Sequence, residues 1–440
     1  MKKMHEDAGL FLAVALTLLK LLIIDIDPPE WAVGFYQPID ESYYGYRALN
    51  LYEYGNAFPP QDKIRLYGTP IVTNTAVYMF INIFGDNYLG FRFGSLLFGL
   101  ITVVFFYVVL KKVSSSRFIR LVLPIFFALN FNFSMACIFV EPTIGRMAMM
   151  MLSLYITSRL ANSISTFRSI FVWGICSAIL VIFTYPTNAF TLAGSLISFL
   201  VLAFWQTEGA SAMQQIGKAL SRGLTYSLGV LAGVGLFLAV TYAIGLDEIS
   251  AFSQLNGVFS YRVGSSGALI WNNLVNIGWA HMFTFNPFLF VATATTCLMI
   301  WIRPLRHWTL ELKVTYSFLI ALLIQTAFIN DYPQRKLIIA LPLALIVVAG
   351  AIEQAQAAES IISNRRKVAL KLLFFVTIVG VTVALLRIFI PDYRSMLTQL
   401  GFVCMYILVG VSLVRVVVNW RMLTPLAIAV TLVPEFSNSF

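Results

Sequence analysis

"YLGFRFGSLLFGLITVVFFYVVLKKV", residues 88–113, decides the fold. Between Arg92 and Lys111 it carries no charge. As a helix, that run is long enough to cross a bilayer. Similar runs recur along all 440 residues, of which 59% are hydrophobic and 11% charged. A soluble domain is about a quarter charged, so the composition excludes one large soluble unit. Runs of this length favour helices over a barrel, whose strands would alternate in segments of about ten residues. The expectation is an all-α, polytopic transmembrane bundle.

Spans are expected near 8–26, 88–110, 119–138, 143–159, 169–185, 189–206, 222–244, 282–302, 313–330, 336–352, 368–390, 396–414 and 422–434, about thirteen in all. The whole chain, 1–440, then reads as one integral membrane domain without a soluble C-terminal domain. The start, "MKKMHEDAGLFLAVALTLLKLLII", lacks a small-residue cleavage site and reads as a retained first span. With the N-terminus in the cytoplasm, inner loops collect 19 of the 30 basic residues, Lys111, Lys112 and Arg366 among them. That bias fits positive-inside orientation and explains the net charge of +10 without nucleic acid.

The acids do the reverse: 14 of 20 fall on or near the outer side. Acids contribute little to orientation, so this asymmetry points to loop solvation or to a site. Two outer loops are long, 27–87 and 245–281. In the first, "TPIVTNTAVYMFINIFG" is apolar enough to resemble a span. Counting it as one would move Lys111 and Lys112 outside. It is therefore read as a juxtamembrane helix, interfacial or re-entrant, lying against the bundle.

The same loop opens with "QPIDESYYGYRALNLYEYGN", residues 37–56. Pro38 precedes the acids Asp40 and Glu41, and a helical pattern follows. One reading makes Asp40 an N-cap, Glu41 a first-turn acid and the tyrosines an interfacial belt. The other makes the pair chemical. Cys137, Cys176, Cys297 and Cys404 sit in or beside apolar runs and read as buried hydrophobes. "GVLAG", 229–233, has spacing that permits close helix contact and implies no dimer. Lys20 is nearly the only basic residue deep in an expected span.

Taken in order, these segments resemble GT-C-type membrane glycosyltransferases, which include the protein O-mannosyltransferases and the aminoarabinose transferases that modify lipid A. The resemblance rests on Asp40–Glu41 after span one, Gly55, the stretch Arg65 to Pro70, Phe84–Gly85 and Arg92. It continues in "SMACIFVEPTIGRMAMMMLSLYI" and, more loosely, in "NDYPQRKLIIALPLALIVVAG". Two departures stand out: "Tyr-Gly-Thr-Pro-Ile" replaces a Lys-Pro-Pro-Leu-like stretch, and "Gln-Arg-Lys" stands where many members have Arg-Tyr.

The resemblance implies transfer of a sugar from a polyprenyl-phosphate donor to a cell-surface glycan, lipid or protein, with inversion, on the outer face. It implies Asp40 as general base, Glu41 in support and Glu141 as a second acid for sugar hydroxyls. Glu141 otherwise reads as a helix-end acid. Donor phosphate candidates are Lys63, Arg65, Arg335 and Lys336, which otherwise read as snorkelling cations. Arg92 either meets the phosphate or anchors the first loop. No cofactor is required by the sequence; a divalent metal could join the acids, though one Asp–Glu pair does not call for it. The alternative classes are a lipid-linked oligosaccharide flippase and an O-antigen-type polymerase. A transporter should show charges within spans and repeated halves.

Overall fold

The computed structural model describes residues 7–26, 38–55, 71–162, 166–185, 188–205, 212–243, 308–328 and 338–358. Among them there are helices and no strands. The helices are α1 (Ala8–Leu18, continued by a 3-10 turn, Leu19–Ile23), α2 (Pro38–Tyr54), α3 (Ile71–Phe84) and α4 (Tyr88–Val113). They continue as α5 (Arg117–Leu129), α6 (Phe131–Ile138), α7 (Pro142–Asn162), α8 (Phe167–Thr184) and α9 (Phe190–Trp205). The last are α10 (Ala212–Ala243), α11 (Leu310–Phe328) and α12 (Ala340–Ala358). The expected spans 282–302, 368–390, 396–414 and 422–434 lie outside the described residues.

Three of these helices, α4, α8 and α10, are long and apolar enough to cross a membrane. The protein is an integral, multi-pass helical bundle. Its centre is α7 with the first half of α12, whose residues 338–351 are buried throughout. A central helix contacts protein on all sides, so it needs no continuous lipid-facing stripe. Arg146 accordingly sits inside α7.

The span expected at 119–138 is two helices. Segments Arg117–Leu129 and Asn132–Ile138 meet at 59°. At Asn130 the backbone leaves helical geometry, and its side chain accepts from the Phe133 N–H at 3.0 Å, capping α6. The carbonyls freed at the end of α5 need donors, because hydrocarbon supplies none. Lys20 Nζ donates to Ala128 O at 2.7 Å and lies 5.5 Å from the Phe133 ring centroid. The basic residue that stands out in the first span is thus a helix C-cap for the third.

The end of the bundle carrying Lys111 and Lys112 is tied by one turn, Lys111–Ser116. Lys111 and Tyr107 both donate to Asp7 of the α1 N-cap at 2.7 Å. Those two bonds, Lys111 first, hold the Asp7 carboxyl below the usual carboxylate range. Lys112 pairs with Glu311 of α11 at 3.2 Å. Glu353 of α12 accepts from Ser114 Oγ (2.6 Å), the Ser115 N–H (2.9 Å), Ser115 Oγ (3.1 Å) and the Ser116 N–H (2.9 Å).

Between residues 27 and 87 the chain does form the expected juxtamembrane helices. α3 lies antiparallel against the first half of α4. Ala76 faces Gly94, and Ile81 faces Gly90. α3 therefore runs along a span rather than flat across its end. α10 is longer than the expected 222–244, beginning ten residues earlier at Ala212.

Glycine sets one close helix contact. α8 and α10 run parallel, with Gly174 against Gly229 and Gly233 against Ile175 and Ala178. A Cβ on Gly229 would fall on the Phe171 carbonyl oxygen and 3.0 Å from the Gly174 Cα. The Gly-x-x-x-Gly pattern is used within the chain. Gly235, two residues on, has open space around it. Gly229→Leu is expected to lower stability by about 3 kcal/mol, because backbone cannot yield to the new side chain. Gly235→Leu should be neutral or slightly stabilising. Thermal unfolding of both variants in one detergent checks this; equal melting points would refute the contact.

Candidate active site at the acidic end

At the opposite end, α2 begins with Pro38, whose fixed φ suits a first helical position and whose missing N–H costs nothing there. Asp40 is consequently the third residue of α2, not its N-cap. Glu41 follows it, so both acids lie at the positive end of the helix, which tolerates carboxylates. Their side chains lie outside the described part of the structure. Arg47 is seven residues after Asp40, two turns along the same face and about 10.5 Å away along the axis.

Gly45 lets α2 meet α4: a Cβ there would fall on the Phe91 ring. One turn later Arg47 and Ala48 are buried. The Ala48 N–H donates to Asn74 Oδ1 of α3 at 3.2 Å. Ala48, Val77, Ile81, Val140 and Tyr185 then form one apolar cluster, joining α2, α3, the turn after α6 and the end of α8. That cluster brings α2 and α3 to Val140, the residue before Glu141.

Glu141 sits in a tight turn, its N–H donating to Phe139 O at 3.0 Å. Its side chain is 3% exposed. Pro142 opens α7 immediately after it, repeating the proline-at-the-start device of α2. In the first turns of α7, Thr143 and Arg146 are also buried. The Arg146 guanidinium lies 5.7 Å from the Tyr185 ring centroid. Thr73 of α3 reaches the same turn: its Oγ1 is 3.7 Å from where a Cβ on Gly145 would stand. Asn188 follows Tyr185, its N–H donating to Tyr185 O at 2.9 Å.

The structure therefore joins α2, through Ala48 and by way of α3, to Val140, the residue before Glu141. Arg92 belongs to a different set of contacts. It is 1% exposed, and its Nη1 donates to the carbonyls of Ile24 (2.9 Å) and Ile26 (3.2 Å). The guanidinium is 4.6 Å from the Tyr88 ring centroid and 4.8 Å from that of Phe139. This is the anchoring role, tying the end of the first span to α4 and to the turn before Glu141. Lys63, Arg65, Arg335 and Lys336 lie outside the described residues.

Sequence reasoning missed Arg47, Asn74, Thr73, Thr143, Arg146 and Tyr185. Arg146 had a usable signal, since an arginine inside "TIGRMAMMMLSLYI" is costly unless partnered by protein. Lys20 is accordingly not nearly alone: Arg92 and Arg146 are both buried in the first turns of expected spans. Among the described residues no three His, Cys, Asp or Glu side chains converge as a metal site would need.

No protein-family description matches the chain, and no curated protein does. A search of solved structures finds the crystal structure of ArnT from Cupriavidus metallidurans bound to undecaprenyl phosphate. The two share 14% identity over 97% of this chain and 75% of that one, with a TM-score of 0.48. Likeness of that degree fixes neither a family nor a substrate.

The two sequence-level roles for Arg92 separate in a stability measurement. As an anchor, Arg92→Met leaves the buried Ile24 carbonyl without its donor and should cost about 2 kcal/mol in the ligand-free protein. Arg92→Lys should recover part of that, since one ammonium can reach a carbonyl but lacks the fork. Unchanged unliganded melting temperatures for both would refute the anchor.

Proposed function

We propose that the chain is a membrane glycosyltransferase. It moves a sugar from a polyprenyl-phosphate donor to a glycan, lipid or protein acceptor, at the end of the bundle opposite Lys111 and Lys112. That end is assigned to the outer face by the distribution of basic residues. One observation carries the reading: α2, which opens with the acids Asp40 and Glu41, shares one apolar cluster with Val140, beside the buried Glu141 at the start of α7, where Arg146 is buried too. Burying such groups in an apolar bundle is expensive, and intramembrane ionisable residues mark function by default. The ordered resemblance of residues 37–160 to GT-C enzymes gives that function its chemistry.

Transfer is a single displacement with inversion. The acceptor oxygen bonds to the anomeric carbon as the bond from that carbon to the phosphate oxygen breaks. The acceptor proton passes to Asp40, and polyprenyl phosphate leaves. Glu41 supports the helix start, and Glu141 receives sugar hydroxyls. Arg65 or Lys63 and Arg335 or Lys336 balance charge on the departing phosphate. None of these steps requires a metal or another cofactor.

The test is incubation of purified protein with labelled polyprenyl-phosphate sugars and candidate acceptors, reading released polyprenyl phosphate. Asp40→Asn keeps the shape of a first-turn side chain, and its folding cost should stay within about 1 kcal/mol. Turnover should fall by about 100-fold or more. Arg65→Ala or Arg335→Ala should fall by about 100- to 1000-fold with expression intact. Wild-type turnover in Asp40→Asn, with the fold retained, would sink the base assignment. Passage of the lipid between leaflets without release would favour the flippase.

A further inference from the structure

Two hydroxyls in the bundle stand apart from the rest. Buried threonines inside these helices donate to the carbonyl one turn back: Thr17 to Ala13 O (2.8 Å), Thr102 to Phe98 O (2.8 Å), Thr315 to Glu311 O (2.7 Å). That bond satisfies a hydroxyl that lipid cannot. Thr73 and Thr143 are the third residue of α3 and the second of α7, at the described starts of these helices. Their Oγ1 atoms are buried and make no hydrogen bond among the described residues. Each such atom normally costs stability, and its retention in a folded protein needs a reason.

The two hydroxyls belong to helix starts that meet. Thr73 Oγ1 stands beside Gly145, two residues after Thr143. The N-termini of α3 and α7 therefore converge, and both present their positive ends. The same helix start has Glu141 just before it and Arg146 in its first turns; the Arg146 guanidinium is 5.7 Å from the Tyr185 ring centroid, and Asn188, whose N–H donates to Tyr185 O, has an Oδ1 that is also buried without a hydrogen bond among the described residues. This set mixes donors and acceptors. A bare phosphate wants donors only, and a carboxylate beside it would repel it. A sugar ring offers hydroxyls that donate and accept at once, and an apolar face suited to an aromatic ring.

We infer that the junction of the α3 and α7 N-termini is a saccharide-hydroxyl subsite, in which Thr73 and Thr143 bond the sugar ring of the substrate. This rests on the transferase reading above and adds to it the residues that select the sugar. The hydroxyls are kept at a cost to the ligand-free fold because the ligand uses them.

Thr→Val, an exchange of equal shape, separates that trade from a structural role. Melting temperatures of the full chain in detergent are measured alone, with bare polyprenyl phosphate, and with mannosyl, glucosyl, galactosyl and arabinosyl polyprenyl phosphates. Unliganded Thr73→Val and Thr143→Val should melt at or above wild type. Wild type should gain stability from at least one sugar-bearing lipid beyond the gain from bare lipid. Each Val variant should lose about half or more of that sugar-dependent gain, and Thr73→Ser should keep it. The subsite is overturned if the unliganded Val variants melt lower, if no sugar adds to the bare-lipid gain, or if the gain survives in both variants. Release of polyprenyl phosphate is read separately. A sugar-dependent gain without turnover removes the transfer reaction and leaves the subsite; turnover with an unaltered gain in both variants does the reverse.

Discussion

A helix that breaks inside an apolar bundle must have its freed carbonyls met by protein, and here Lys20 meets them. Its bond to Ala128 O closes the end of α5, while Asn130 caps the start of α6. A straight helix over 117–138 would continue along its own axis. The 59° turn instead carries Phe139, Val140 and Glu141 back under Arg92 and into the cluster with α2 and α3. A buried ammonium is unfavourable alone. It is offset by the carbonyl, by the negative end of α5 and by the Phe133 ring. The place of Glu141 thus depends on a residue more than a hundred positions earlier.

Chain-distant polar bonds hold the other end too, but of a different kind. The Lys111–Ser116 turn collects one acid from each of α1, α11 and α12. The pair with Asp7 is part-exposed and contributes little by itself. Glu353 is held more firmly, because two backbone N–H groups and two hydroxyls bind one carboxylate. Acids at this end are consumed by scaffold contacts. At the far end, two buried hydroxyls at helix starts make no hydrogen bond among the described residues.

Much of this was legible in the residues. Apolar runs named the helices, Ile71–Phe84 among them, which lies along α4. The spacing of Gly229 and Gly233 permits a close helix contact, and the structure makes it within the chain, against α8. The break at Asn130 was not legible, since "PIFFALNFNFSMACI" is evenly apolar and its stabilising cation lies in another span. One of the two readings of Asp40 puts it at an N-cap, a position that aspartate favours. Pro38 started the helix earlier and moved it to the third residue. The burial of Arg146 follows from the packing of α7 at the centre, which the sequence around it does not show.

The tied end also bears on which class of function the bundle suits. An alternating-access cycle opens each end in turn around a central site. Opening the Lys111–Ser116 end would separate α1, α11 and α12 from α4, exposing the Glu353 carboxylate and breaking four hydrogen bonds to it in one movement. Chemistry at one face asks for no such movement. It asks that one end be fixed while the other holds polar groups in register, with a lipid substrate entering from the side. The described helices have that polarity: bonded carboxylates at one end, and at the other two helix starts, an acid and an arginine gathered by an apolar cluster.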